Sequence, residues 1–585
     1  MVTSKRVVSK PKAAAQPAPP APAPAPAPGK TAVVVIHGIG EQTPLETLRG
    51  FVETVYQRDR ALASLPVDKT GLLNIAIVPD DVTGSAELRR ITTLKDGPQK
   101  RTDFFEFYWA DIMDGTPLDM VTGWIRTLLL RSPLQLPRSA KVRWAWAIMW
   151  VFAIIILGAG LVTAYPESLQ SIEAWGPLPQ IGDRLAAARP FIAAGLVGLA
   201  ILLRLLRVVK LKGLLVVAGL GVALFLVPAP LADSLRFWAA ALTALVGWSL
   251  HAVVTPFAGD VVRYVRATPS TVERRRLVRE RGLALLEALH QKRRNGPPLE
   301  AFATVPADNP PLYDRIVIVG HSLGTIIGYD ILQLFWDKHG PTHHQSWNPA
   351  AEGVQDALKA CDAYVIAAWP DRGAAFDRAG FAAAQARLLA VLAKQSPGWR
   401  ISDFITLGSP LAHAEFLLVD NADQVRQAAE ERRFATAPPH PDPLQLGSML
   451  FSRTGLAQRA DGSEEPLYPH FAAQFAAVKW TNIFDEATNP LLGDLISGSL
   501  KTDFGSGIEE HGVSIRRLGW PGFLGRIFTH TRYWSWDLGY EPSAANVEAA
   551  AVAMAKPDEA ARRELLWHNV PEHIRRLRLA LRLES

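Results

Sequence analysis

The chain has 585 residues, 49% hydrophobic and 20% charged, with a formal net charge of +6. That length can bury at least one large core and predicts more than one structural unit. The positive balance is not gathered into a basic block with interleaved aromatics, which argues against nucleic acid as a partner, and a single cysteine, Cys361, rules out an intrachain disulfide and fits a reducing compartment.

In chain order, Lys5, Arg6, Lys10 and Lys12 lead into alternating Pro and Ala. Residues 1–30 therefore predict an extended, disordered tail, and the lack of an apolar h-region argues against a secretory signal. Residues 31–36 (TAVVVI) read as the first strand and end in His37-Gly38-Ile39-Gly40. Residues 72–78 and 103–109 predict further strands.

From Trp144 the composition changes. Residues 144–165 carry no charge, and at about 1.5 Å per residue they are long enough to cross a membrane. Residues 190–206, 213–231 and 237–257 are three further candidates, the first of these with Arg204 near its end. Basic flanks (Arg138, Lys141 and Arg143; Arg204, Arg207, Lys210 and Lys212; Arg263, Arg266 and Arg274 to Arg276) alternate with loops 166–188 and 230–235. Those loops are poorer in Lys and Arg and carry Glu167, Glu173, Asp183 and Asp233. The positive-inside rule then predicts both termini in the cytoplasm. Strands on both sides of the insert must share one sheet, so the number of crossings must be even; four fits, and so does two.

Ser270-Thr271-Val272-Glu273 reads as a capping box opening a basic helix to about residue 294. Residues 313–330 (YDRIVIVGHSLGTIIGYD) follow, and the rest of the chain is organised around them. Ile316 to Val319 predict a buried strand, Gly320-His321-Ser322-Leu323-Gly324 a tight turn, and 325–335 a helix. A strand, G-x-S-x-G and a helix form a nucleophile elbow, with Ser322 at the strand's C-terminal end and the helix N-terminus aimed at developing negative charge. His339, His343 and His344 lie in a polar stretch without Cys or carboxylates at ligand spacing, so no metal is expected. Residues 376–392 predict a helix, 403–407 a strand ending in Gly408-Ser409-Pro410 with Ser409 as a turn residue, and 557–583 a closing amphipathic helix.

GHSLGT behind such a strand resembles the lipase-like serine hydrolases of the α/β-hydrolase superfamily, over residues 31–110 and 300–540. The resemblance implies a Ser, then an acid, then a His in chain order. It also implies an oxyanion hole made by the N–H of Ile39, in the H-G-x loop, and the N–H of Leu323. Trp-x-Asn within 478–484 resembles the segment before the acid loop. Asp494-Leu495-Ile496-Ser497-Gly498-Ser499-Leu500 matches the acid stretch, with Leu495 in place of a proline; Asp485, nearer the strand end, is the alternative acid. His530, in His530-Thr531-Arg532-Tyr533-Trp534, is the implied base, with His511 in reserve.

The fold expected is α/β, an α/β-hydrolase-type, mostly parallel sheet with helices on both faces. Its two parts, 31–137 and 267–585, are interrupted by an all-α transmembrane insert of about four helices at 138–266. The function expected is a serine hydrolase anchored in an inner or plasma membrane, with its hydrolase domain and both termini cytoplasmic. It cleaves a carboxylic, lipid-like ester through Ser322, His530 and Asp494, with the lipid bilayer and the ester as partners and no cofactor. An acyltransferase using the same triad, or a catalytically idle hydrolase-fold scaffold, are the alternatives.

Overall fold

A computed structural model describes most of residues 29–59, 75–133, 140–164, 178–205, 260–294, 309–341, 347–441, 467–516, 525–535 and 567–583, with short gaps inside them and scattered positions elsewhere. The strands are β1 (Lys30–Ile36), β2 (Ile75–Pro79), β3 (Arg89–Thr93), β4 (Thr102–Phe107), β5 (Tyr313–His321), β6 (Ile401–Leu407), the short pair β7 (Ser452–Arg453) and β8 (Tyr468–Pro469), β9 (Lys479–Asp485) and β10 (Glu509–Val513). Eight of them make one mixed sheet in the order β10-β9-β6-β5-β1-β4-β3-β2. The six from β10 to β4 are parallel, whereas β3 runs antiparallel to both of its neighbours. Strand β1 pairs with β5 on one side, Val34 opposite Ile318, and with β4 on the other, Val34 opposite Phe105.

Alternation along these strands builds a core on each face. Val33, Val35, Val317, Val319, Ile405 and Leu407 point to one face, against Leu48 and Phe51 of helix Glu46–Val52 and Leu577 and Leu581 of helix Glu572–Leu581. Ala32, Val34, Ile36, Ile316, Ile318 and Phe404 point to the other, beneath helices Val272–Gln291, Leu323–His339, Val354–Ala368 and Arg378–Ala393. Both faces being covered explains why β1 and β5 read as unbroken apolar runs. The closing helix is further tied down where Arg578 donates to the Thr54 carbonyl at 2.7 Å and Arg582 pairs with the buried Asp403. The capping box is not made as expected: Thr271 caps without a side-chain bond into the helix, and its Oγ1 accepts from the Thr268 N–H at 2.9 Å.

The transmembrane insert is overturned. Among the described residues no helix is long and apolar enough to cross a membrane. The first expected crossing falls in helix Ala140–Ala164, whose opening turns are already packed on protein. Val142 is buried with Leu128 and Phe416, and the indole N–H groups of Trp146 and Trp150 donate to the carbonyls of Leu128 and Leu129. Residues 151–164 are what remains, about 21 Å at 1.5 Å per residue, short of a hydrocarbon layer of about 30 Å. The second expected crossing falls in helix Leu178–Leu205, which contains Pro190. The third and fourth, with tail residues 1–28 and loop residues 165–177, lie largely or wholly outside the described residues. The multi-pass and integral-membrane localisation expected from hydropathy are withdrawn with the insert.

Candidate active site

The sheet places two loops together at its parallel strands' C-terminal ends. Chain connections leave β1 towards β4 on one side and β5 towards β6 on the other, so β1 and β5 flank the switch point of the sheet. Ser322 follows β5 and caps the next helix with φ 54° and ψ −129°, a positive-φ conformation that costs a non-glycine residue about 1–3 kcal/mol. Two glycines make room for it. A Cβ on Gly320 would strike the backbone of Gly324 and Thr325, and one on Gly324 would strike the carbonyls of Ile36 and His37 at the end of β1. The elbow is therefore wedged against β1 as well as against its own helix.

Ser322 Oγ lies 2.8 Å from His530 Nε2, and His530 Nδ1 lies 2.9 Å from Asp494 Oδ2. A carboxylate can only accept, so the proton sits on Nδ1 and leaves Nε2 free to accept from the serine hydroxyl. The structure thus brings together Ser322, His530 and Asp494 from three separate segments. Asp485 is a neighbour but faces elsewhere: it accepts from the Thr529 hydroxyl at 2.8 Å and the Ala487 N–H at 2.9 Å. His511 is on β10, 3.0 Å from Glu509.

The electrostatics separate the two aspartates. Burial pushes the Asp494 carboxyl up, but the facing His530 and hydrogen bonds from His530, Tyr533 and Ser497 outweigh it and hold the group below the ordinary carboxylate range. Burial raises Asp485, with the Asp494 charge adding to it and the Ala487 and Thr529 bonds only partly opposing.

Leu323 and the loop that carries Ile39 lie beside Ser322. Leu323 is the first residue of helix Leu323–His339, where an N–H has no acceptor within the helix. Ile39 follows Gly38, whose added Cβ would stand 2.8 Å from Ser322 Cβ, so this loop's backbone lies against the serine. His37 fixes that loop. Its buried ring stacks on Trp109, with centroids 5.0 Å apart, and its Nδ1–H donates to the Gly38 carbonyl at 2.9 Å. Burial lowers its pKa to about 4, so it remains a neutral structural ring.

Further contributors were not legible as such in the sequence. His321 donates from Nε2 to the His530 carbonyl at 2.8 Å, and burial, aided by the facing His530, lowers its pKa to about 3. The Tyr533 hydroxyl donates to Asp494 Oδ2 at 2.8 Å and accepts from the Asp485 N–H at 3.1 Å. Tyr533 stands close to His530 in the sequence, but its polar partner Asp494 lies 39 residues upstream. Thr325 Oγ1 bridges the Ser322 carbonyl at 2.7 Å and Ser409 Oγ at 2.8 Å, so the Gly-Ser-Pro turn braces the elbow from below. Among the described residues no group of three His, Cys, Asp or Glu side chains is placed to hold a metal. No protein-family model, curated protein or solved structure matches this chain.

Proposed function

We propose that the chain is a serine hydrolase of lipase-like, α/β-hydrolase type that cleaves carboxylic esters. The single observation that supports this reading is the line Ser322 Oγ, His530 Nε2 and Nδ1, Asp494 Oδ2, with both contacts under 3 Å and the serine on a strained elbow. Ser322 attacks the acyl carbonyl as its proton passes to His530 Nε2. Negative charge develops on the carbonyl oxygen, towards the N–H groups of Leu323 and Ile39, and Asp494 stabilises the imidazolium. Collapse expels the alcohol with the proton returned by His530. Water, deprotonated by the same nitrogen, then attacks the acyl-enzyme and frees Ser322. The lipid-like character expected of the ester rested on membrane anchoring alone, so the proposal keeps only the ester.

Fluorophosphonate labelling of the purified full chain tests this. The wild type is expected to label and to hydrolyse p-nitrophenyl acetate. Ser322→Ala is expected to abolish labelling and lower turnover by about 10³-fold or more with the fold retained. An unlabelled wild type would point to the idle scaffold and overturn the proposal.

A further inference from the structure

Lys141 belongs to the segment between β4 and β5 whose hydropathy suggested a membrane. Its ammonium is instead bound by protein. Nζ donates to the carbonyl oxygens of Asp494 at 2.9 Å, Ser497 at 3.2 Å and Asp485 at 3.3 Å. Three acceptors match the three N–H bonds of an ammonium. All three carbonyls belong to the loop that presents Asp494 to His530.

That loop has little regular structure of its own. It leaves β9 at Asp485, turns through Gly493 at φ +81°, and folds back so that the Ile496 N–H donates to Asp494 Oδ1 at 2.8 Å. The lysine, by contrast, stands on the first turn of helix Ala140–Ala164, next to the buried Val142. Arg131, just ahead of that helix, donates to the carbonyls of Glu415 and Val419, holding the segment on the chain that follows Ser409. A docked helix thus carries a fixed cation into an irregular loop.

We propose that Lys141 is a positioning residue for the acid of the triad, gathering the carbonyls of Asp485, Asp494 and Ser497 at one point and so setting the Asp494 carboxylate against His530. This rests on the hydrolase reading above. The groups facing this part of the site are Asp494, Asp485 and Tyr533 around the acid, His413, whose Nε2 is 3.2 Å from the Leu495 carbonyl, and His321 on the His530 side. Removing the ammonium releases the three carbonyls and lets the Asp494 carboxylate move off His530 Nδ1.

The test measures the second-order rate of fluorophosphonate labelling from pH 5 to 9 for the wild type, Lys141→Met and Lys141→Arg, with melting temperatures alongside. Lys141→Met is expected to lower the plateau about 10-fold. Lys141→Arg, which keeps charge and donors, is expected to recover most of the plateau. If Lys141→Met does not fold, Lys141→Gln, with a donor and no charge, is read in its place. A wild-type plateau in the neutral variants, or equal losses in the Met and Arg variants, overturns the inference. An unlabelled wild type sinks the hydrolase reading and this inference together, whereas labelled wild type with unchanged Lys141 variants sinks this inference alone.

Discussion

Asp494→Asn is the most discriminating change at the site because the structure leaves an asparagine no good orientation. Asp494 Oδ2 accepts from both His530 Nδ1 and the Tyr533 hydroxyl, and Oδ1 accepts from the Ile496 N–H. With the amide oxygen at the Oδ2 position, the new NH2 meets the Ile496 N–H, donor against donor, at a cost of about 1–3 kcal/mol. Turned over, the NH2 faces His530 Nδ1, which must then accept. The imidazole proton moves to Nε2, where it confronts Ser322 and blocks general-base catalysis. Wrong-tautomer pairing of this kind lowers kcat by about 10⁴, a barrier increase of about 5 kcal/mol. Asp485→Asn offers the contrast. Its amide oxygen can keep the Ala487 N–H while its NH2 donates to Thr529 Oγ1, a hydroxyl that can rotate to accept. We expect less than about a 10-fold loss there, since an uncharged side chain suits a buried site whose carboxyl is already pushed up. Steady-state hydrolysis of p-nitrophenyl acetate by both variants decides the matter. Should Asp485→Asn prove the more damaging, the acid would have to be reassigned to Asp485.

Two further outcomes follow from the geometry. Gly38→Ala puts a methyl 2.8 Å from Ser322 Cβ, so the H-G-I loop must move and carry the Ile39 N–H with it; labelling is expected to slow about 100-fold with the melting temperature little changed, and a wild-type rate would show that this loop takes no part. Glu106 is buried, its pKa raised by burial to about 7 against a bond from the Leu45 N–H, and its Oε1 has no hydrogen-bond partner among the described residues. The stability it contributes is fully present below its unfolded value near 4.5 and is lost as pH rises through about 7. Glu106→Gln does not ionise, so its urea-unfolding free energy relative to the wild type should improve by about 2–3 kcal/mol between pH 5 and pH 8. A pH-independent difference would refute that assignment.

What the sequence disclosed divides along a physical line. The elbow was legible because strand, glycines and helix are consecutive in the chain, so local sterics write them into one short pattern. Asp494 and His530 were reachable only through resemblance, since their approach to Ser322 is made by the sheet and not by spacing. Asp485 stayed open for the same reason: both aspartates follow one strand, and which faces the imidazole depends on how the loop turns at Gly493. Hydropathy misled over the start of helix Ala140–Ala164 because an apolar turn reads alike whether protein or lipid covers it. The contacts of Val142, Trp146 and Trp150 are tertiary, and Lys141, taken as a membrane flank, spends its charge on three loop carbonyls.

The pairing of β1 with β5 also bears on how the molecule is made. Val33 to Ile36 lie opposite Val317 to Gly320 in the finished sheet, yet about 280 residues separate the two strands along the chain. At the usual rate of about 5–20 residues per second, a ribosome needs roughly 15–55 s to supply β5 after β1 has been synthesised. Until β5 is made, β1 can pair only on its β4 side, which leaves an edge of alanine, valine and isoleucine, the kind of edge that recruits strands from other chains. Closing so long a loop is entropically costly and slow. Of all the neighbouring strands in the sheet, β1 and β5 are the furthest apart along the chain, and the β1 edge can be closed only once the elbow strand has emerged.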